Sequence, residues 1–386
     1  MIDISSDINN RYSRFRLISW WEQSVLKNAK ILVIGCGALG NEIVKNLAML
    51  GAGNIYVADT DKVEKSNLTR SVLFRKEDLG KSKAETVCRR AKEINDEIEI
   101  KYFDGNVFEL GLGIFKEMDI IICGLDNREA RLFVNQSCWK VNRPWIDGAI
   151  EILNGVARIF VPPDGVCYEC TLNEIDYKLI NKRKSCLMLG LDDIQQGKIP
   201  TTPTISSVIA GMQVQEAVKY LHKKDFNLLN GKGFVFNGLT NESYIVEYQK
   251  NENCPSHYTF GKYKKLEKDF NHTAISDVLD FGKKFFNEKE FDIEFNNEVV
   301  YDLTDEKGNS TEHFSNMNLM TQKDIKKNGN LFKINSFHKL ESKSNLIGKL
   351  KDVRLKDLKI PYNDILTLRK GNDEMHLEFV NNNIFI

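Results

Sequence analysis

The sequence predicts an α/β fold in which a mostly parallel sheet continues into antiparallel strands, followed by a small α+β unit. Three observations predict it. An apolar run, ILVIGCGALG at 31–40, ends in Gly35, Gly37 and Gly40 and passes into NEIVKNLAML, where Ile43, Val44, Leu47 and Ala48 recur at helical spacing. Strand-like and helix-like stretches then alternate as far as Pro144, the pattern of βαβ units whose sheet is covered on both faces. Beyond Pro144 strand patterns follow one another directly, which implies antiparallel pairing.

Residues 11–27, RYSRFRLISWWEQSVLK, read as an extended basic lead-in and a helix. The glycines come next, where a strand turns into a helix. Without side chains the backbone N–H groups there can approach an anion, and the helix N-terminus adds partial positive charge. The commonest ligands of such a turn are NAD and FAD, so the turn alone leaves an oxidoreductase open. A second strand, NIYVAD, ends in Asp59 about 20 residues past the glycines, the spacing of ribose recognition. KSKAETVCRRAKEIN gives a helix with Ala84, Val87, Ala91 and Ile94 on one face, EIEIKYF alternates as a strand, and MDIIICGLD is a buried strand running into Gly124 and Asp126. Ligands of parallel sheets lie at the carboxyl ends of strands, the edge that should carry both Asp59 and Asp126.

PWIDGAI and GVARIFVPP read as successive strands, and Pro162 to Gly165 as a turn. Residues 173–197 are polar and lysine-rich and read as a surface loop. TPTISSVIAGMQVQEAVKYL gives an amphipathic helix with Val208, Met212, Val214 and Val218 largely on one side, and GKGFVFNGLTNESYIVEY two strands that close the first unit. The expected organisation is therefore 1–257, a charged linker at 258–268, and a C-terminal α+β domain at 269–386. That domain ends in a hairpin, ILTLRKGNDEMHLEFV, turning over Gly371, Asn372 and Asp373.

Composition narrows the function. Lys plus Arg and Asp plus Glu both number 54, so no net field favours a nucleic acid or an anionic membrane as partner. No stretch reaches the roughly 18 apolar residues of a membrane span, and MIDISSDINN lacks the apolar core of a signal peptide, so a cytoplasmic protein is expected. Eight cysteines are too few for a disulfide scaffold of this size, and Cys36, Cys88, Cys123 and Cys138 fall where packing explains them. Two pairs stand out. Cys167-Tyr168-Glu169-Cys170 and Cys254-Pro255-Ser256-His257 have the donors and spacing of a closed tetrahedral structural Zn²⁺ site, the alternative being two chance spacings.

The stretch DTDKVEKSNLTRSVLFRKEDLGKSKAE at 59–85 carries more polar and charged groups than a hydride-transfer site uses. It resembles the ThiF/MoeB/ubiquitin-activating enzyme superfamily, whose pattern is close to D-x-D-x-V-x-x-S-N-L-x-R-Q-x-L-F followed by G-x-x-K-A. The resemblance extends over residues 11–257 and implies a Rossmann-like adenylation domain. By that resemblance Asp59 holds the ATP ribose and Asp61 lies close to the nucleotide. Asn67, Arg70 and Lys83 surround the phosphates. Asp126 in GLDNREAR positions Mg²⁺, with Asn127 and Arg131 in the same motif, and Arg14 reaches across a homodimer into the partner's site. Ser71 and Phe15 replace family glutamines, and neither removes a charge the reaction needs; His257 replaces a family cysteine and is a chemically competent zinc donor.

The residue types make chemical sense without the resemblance. When a carboxylate attacks the α-phosphate of ATP, two anions meet and pyrophosphate leaves, so lysine, arginine and a carboxylate-held Mg²⁺ are useful where charge develops. Each residue taken singly is also consistent with an ordinary solvated charge. Cys186, in KRKSCLMLG, aligns with the cysteine that receives the activated carboxyl in ubiquitin-activating enzymes, and Lys182, Arg183 and Lys184 favour its thiolate. The bland alternative is a spectator in a basic loop. The resulting expectation is an enzyme using ATP, Mg²⁺ and a structural Zn²⁺. It would adenylate the C-terminal glycine of a small β-grasp ubiquitin-like protein, transfer it to Cys186, and recruit a conjugating enzyme through the C-terminal domain. The alternatives are an adenylyltransferase for a sulfur-carrier protein and a non-catalytic scaffold subunit. No cysteine follows Cys254 in these residues, so a working rhodanese is not expected among them.

Overall fold

The computed structural model describes residues 10–180, 200–224, 226–288, 290–327, 330–380 and 383–386. Its first sheet has eight strands in the order β3-β2-β1-β4-β5-β6-β7-β8. These are β1 (Lys30–Ile34), β2 (Asn54–Asp59), β3 (Glu99–Asp104), β4 (Ile120–Cys123), β5 (Trp145–Glu151), β6 (Asn154–Phe160), β7 (Lys232–Asn237) and β8 (Glu242–Glu247). The first five are parallel and the remainder antiparallel, the change of pattern expected after Pro144. All four residues of β4 are buried, as a central parallel strand requires.

Helices cover both faces. On one lie α2 (Ala38–Leu50), α3 (Lys83–Ile94) and the long α6 (Pro203–His222); on the other lie α4 (Leu112–Glu117) and α5 (Arg128–Lys140), while α1 (Gln23–Asn28) precedes β1. Each start has a local cause. Ser82 caps α3 through Glu85 N–H, Asn127 caps α5 through Ala130 N–H at 2.8 Å, and Thr202 followed by Pro203 opens α6. The α6 face differs from expectation. Val214 and Val218 are buried as expected, but Val208 is 37% exposed, Met212 is half-buried, and the buried row also takes in Ile205, Ile209, Gln213, Glu216 and Leu221. Two polar residues in that row displace an apolar reading towards the outside.

The second sheet holds β9 (Tyr263–Asp269), β10 (Asp292–Thr304), β11 (Ser310–Asn316), β12 (Lys333–Glu341), β13 (Leu366–Lys370) and β14 (Asp373–Val380), with α7 (Ile275–Phe286) packed on it. β13 and β14 are the expected hairpin, turning between Lys370 and Asp373. The charged segment expected as a linker instead contains β9, which pairs in parallel with β14. Lys264 and Lys265 lie on this outer strand and are exposed, a composition that protects a sheet edge and resembles a linker in sequence.

The second sheet lies against α4 and α5 through polar contacts: Lys140 Nζ donates to Asn296 Oδ1 at 2.9 Å, Leu112 N–H to Asp364 Oδ1 at 3.0 Å, and Lys116 Nζ pairs with Glu378 on β14. Ile386 then pairs with β3, exchanging both backbone hydrogen bonds with Tyr102 at 2.9 and 3.0 Å. Its neighbour Phe385 packs on Tyr56 and Phe103, on the face of the parallel sheet that also carries α4 and α5. Phe385→Ala is expected to destabilise the protein by about 3 kcal/mol, the cost of emptying a buried aromatic site, measurable as a lower denaturant midpoint. An unchanged midpoint would show that the tail adds no stability.

Candidate active site and metal centre

At the carboxyl ends of β1 and β4 the chain reverses its direction of travel across the sheet, which opens a crevice there. Gly35 adopts φ +89, and a Cβ on it would lie 2.7 Å from Gly124 O; a Cβ on Gly40 would lie 1.8 Å from Gly35 O. The two strand ends and the start of α2 can meet this closely only without side chains. Gly37 differs, since a Cβ there would meet no atom within 4 Å, so the turn is open on the side where a ligand would lie.

Asp59 ends β2 beside this turn. Its carboxylate accepts from Cys36 N–H at 2.6 Å and from Asp61 N–H at 2.7 Å, which fixes its orientation. Burial raises its pKa, and these two N–H bonds oppose the rise. Lys83, at the start of α3, is buried with Nζ 2.8 Å from Asp61 Oδ2. Burial works to lower the Lys83 pKa, but the hydrogen bond to Asp61 and the fields of Asp59 and Asp61 outweigh it, and the ammonium is held above its ordinary value. The site therefore keeps a charged lysine between two acids at the mouth of the glycine turn. Asn67 is buried on the strap joining β2 to α3, where its Oδ1 accepts from Glu64 N–H at 2.9 Å; Arg70 follows it, with Nη1 3.4 Å from Ser66 O.

Asp126 stands exposed after β4, and Asn127 beside it caps α5. Arg131 is turned inward. Its guanidinium donates to Leu125 O at 2.6 Å and Gly148 O at 3.1 Å and lies 2.9 Å from Asp147, so it shapes the loop that bears Asp126. Arg14 stands apart from these residues within its own chain. Tyr12 beside it lies on Gly51 at the far end of α2, about 20 Å of helix from the glycine turn. Cys186 lies outside the described residues.

Sequence reasoning missed the buried acid Asp147, held between Arg131 and Arg158. Burial pushes its pKa up, and the two guanidinium groups more than reverse this, so it stays ionised. The signal was present: a lone acid in PWIDGAI and a lone base in GVARIF face each other in the register of β5 and β6.

The cysteine pairs come together. The donor atoms of Cys167, Cys170, Cys254 and His257 all lie within 4.8 Å of one another. The sulfurs of Cys167 and Cys170 are 3.7 Å apart, those of Cys167 and Cys254 3.5 Å, and Cys170 Sγ is 3.4 Å from His257 Nε2. Tetrahedral Zn–S bonds of about 2.3 Å place two sulfurs about 3.8 Å apart, and a sulfur and an imidazole nitrogen slightly closer. The donor set therefore fits Zn²⁺ in both chemistry and spacing. His257 stacks on Trp139, which joins the cluster to α5.

The model of the ThiF family matches residues 9–256. The SUMO-activating enzyme subunit uba-2 of Caenorhabditis elegans is 39% identical over 155 residues, 39% of this chain and 27% of its own length. The NEDD8-activating enzyme E1 catalytic subunit of the same organism is 38% identical over 161 residues, covering 38% of this chain and 37% of its own. This chain thus spans only about a third of the length of these two relatives. Among solved structures, E. coli MccB with ATP superposes at TM-score 0.55 with 29% identity, over 66% of this chain and 75% of that one. No helix among the described residues is long and apolar enough to cross a membrane.

Proposed function

The chain belongs to the ThiF family, and on that premise we propose that it is an ATP-dependent activating enzyme for a small β-grasp ubiquitin-like protein. The observation that carries this reading is the meeting of the open glycine turn, the clamped Asp59 and the Lys83–Asp61 pair at one sheet edge. Asp59 would bind the ribose, and the N–H groups of the turn would receive the phosphates together with Asn67, Arg70 and Lys83. The partner's C-terminal glycine carboxylate attacks the α-phosphorus, an acyl–AMP bond forms, and the α–β bridge breaks to release pyrophosphate. Lys83 and Arg70 stabilise the charge gathering on the phosphates. Asp126 would hold Mg²⁺, which when bound neutralises phosphate charge at the same place. The Cys186 thiolate then attacks the acyl carbon and expels AMP, leaving a thioester.

Around that core, Cys167, Cys170, Cys254 and His257 would bind Zn²⁺ as a crosslink rather than a reactant. Arg14, remote from its own site, would serve the site of a second copy in a homodimer. The segments 1–257 and 269–386 would act as adenylation and conjugating-enzyme-recruiting domains of a cytoplasmic enzyme, with 258–268 between them. A second reading has one observation in its favour: this chain spans 75% of MccB, far more than it spans of the activating-enzyme subunits. MccB has been solved together with MccA. On that reading the carboxylate belongs to a short peptide and Cys186 takes no acyl group.

ATP–pyrophosphate exchange separates the readings. Exchange should depend on a β-grasp partner, and a non-reducing gel should show a thiol-cleavable adduct that is lost in Cys186→Ala while exchange persists. An adduct that survives in Cys186→Ala removes the nucleophile. Exchange with a short peptide but with no carrier protein selects the second reading, and no exchange with either ends both.

A further inference from the structure

Asn41 lies in the first turn of α2 and is fully buried. Both ends of its side-chain amide are engaged: Nδ2 donates to Cys36 O at 2.7 Å and to Gly37 O at 3.0 Å, while Oδ1 accepts from Leu73 N–H at 3.0 Å. One side chain thereby joins the glycine turn to the strap that carries Asn67 and Arg70. The strap is short and tightly turned between those residues and Leu73. Arg70 N–H and Ser71 N–H both donate to Asn67 O at 3.0 Å, and Phe74 N–H donates to Ser71 O at 3.2 Å. Leu73 is itself buried in the core that α2 shares. Movement of the strap against the turn would have to break the Asn41 link.

A trans peptide points its carbonyl and the following N–H in opposite directions. Gly37 O also accepts Asn41's own backbone N–H at 3.0 Å, the ordinary helical bond, so the side chain holds the Cys36 carbonyl and reinforces that of Gly37, and the N–H groups of Gly37 and Ala38 are turned the other way. At the start of a helix such N–H groups have no intrahelical acceptor, and the space beside Gly37 is open. We propose that Asn41 is a positioning residue of the nucleotide site. It aims these two N–H groups at the ATP phosphates and keeps Arg70 in register with them, without touching the nucleotide. Other side chains do not supply this set of bonds. Aspartate presents only acceptors to two carbonyls, serine has a single donor, and glutamine is one carbon too long.

The inference rests on the reading of this turn as an ATP site, and the experiment keeps the two apart. Calorimetric titration of ATP and of adenosine into the parent protein, Asn41→Asp and Asn41→Ser reads phosphate and nucleoside recognition separately. The expected result is an ATP affinity lower by about tenfold or more in both variants. Adenosine, held through Asp59, should bind within about twofold of the parent, a split that general loosening of the fold would not produce. Equal losses for both ligands, or an unchanged ATP affinity in Asn41→Ser, overturn the positioning role. If Asn41→Asp fails to fold by circular dichroism, Asn41→Ser, which retains a donor, decides alone. A parent that binds neither ligand overturns the ATP reading, and this inference with it.

Discussion

Lys83→Met is expected to lower ATP–pyrophosphate exchange by about 10²–10³-fold, the range seen when one preorganised group facing developing charge is removed from an enzyme site. Lys83 is buried, so its charge acts with little solvent screening, and it is fixed by a 2.8 Å contact to Asp61 instead of being free to reorient. Methionine keeps most of the volume and removes the charge. Asp59 and Asp61 would then face incoming phosphates without a counter-charge, so the apparent KM for ATP should rise as kcat falls. The pH dependence has a definite sign. The folded-state pKa of Lys83 is raised, so its ionic contribution to stability is fully present below the ordinary lysine pKa of about 10.4 and is lost only as pH rises through the higher folded value. Exchange should therefore show no decline from lysine deprotonation across the neutral range. A variant retaining exchange within about threefold of the parent would show that Lys83 does not act on the reacting phosphates.

The parts of this site differ in how legible they were. The glycine turn, Asp59 and the change from parallel to antiparallel strands needed only local signals: apolar runs, glycines where backbones touch, and an acid ending a strand. The cysteine pairs were legible because metal donors must occur at short spacing, and the structure brings both pairs into one cluster. Interactions between distant segments were less visible. The inward turn of Arg131 depends on Asp147, which is recognised only when β5 and β6 are placed in register. Gln213 on α6, fully buried, donates to Cys123 O at 2.8 Å at the end of β4, and nothing in its own neighbourhood of sequence announces this. β9 failed to show for the opposite reason. Its lysines protect an outer strand, so its composition resembles that of a connecting segment.

Removal of zinc should have the largest effect on stability. Purified protein is expected to contain about one zinc per chain, and Cys170→Ser or exhaustive chelation should remove both the metal and the cooperative thermal transition near the parent's melting temperature. The argument is one of position and magnitude. Cys167 and Cys254 are buried in the same core as β4 and α5, and the cluster ties the segment after β6 to the segment after β8, which are otherwise remote in sequence. Structural zinc contributes about 10–16 kcal/mol of apparent binding free energy in small zinc-folded peptides, comparable to the whole stability of an ordinary domain at about 5–15 kcal/mol. Even a third of that value would dominate the balance. Serine at position 170 keeps the shape but offers no thiolate, so the variant tests the donor chemistry rather than the packing. Glu169, which accepts from Tyr177 OH at 3.0 Å and from Ser256 Oγ, also links the two segments, so some residual structure should survive metal loss. The expected signature is therefore a lower, broader melting transition, with restoration of the sharp one when zinc is returned to the parent. Metal content near zero in the purified parent would end the zinc assignment, and the short spacings would then reflect hydrogen-bonded thiols in a buried core.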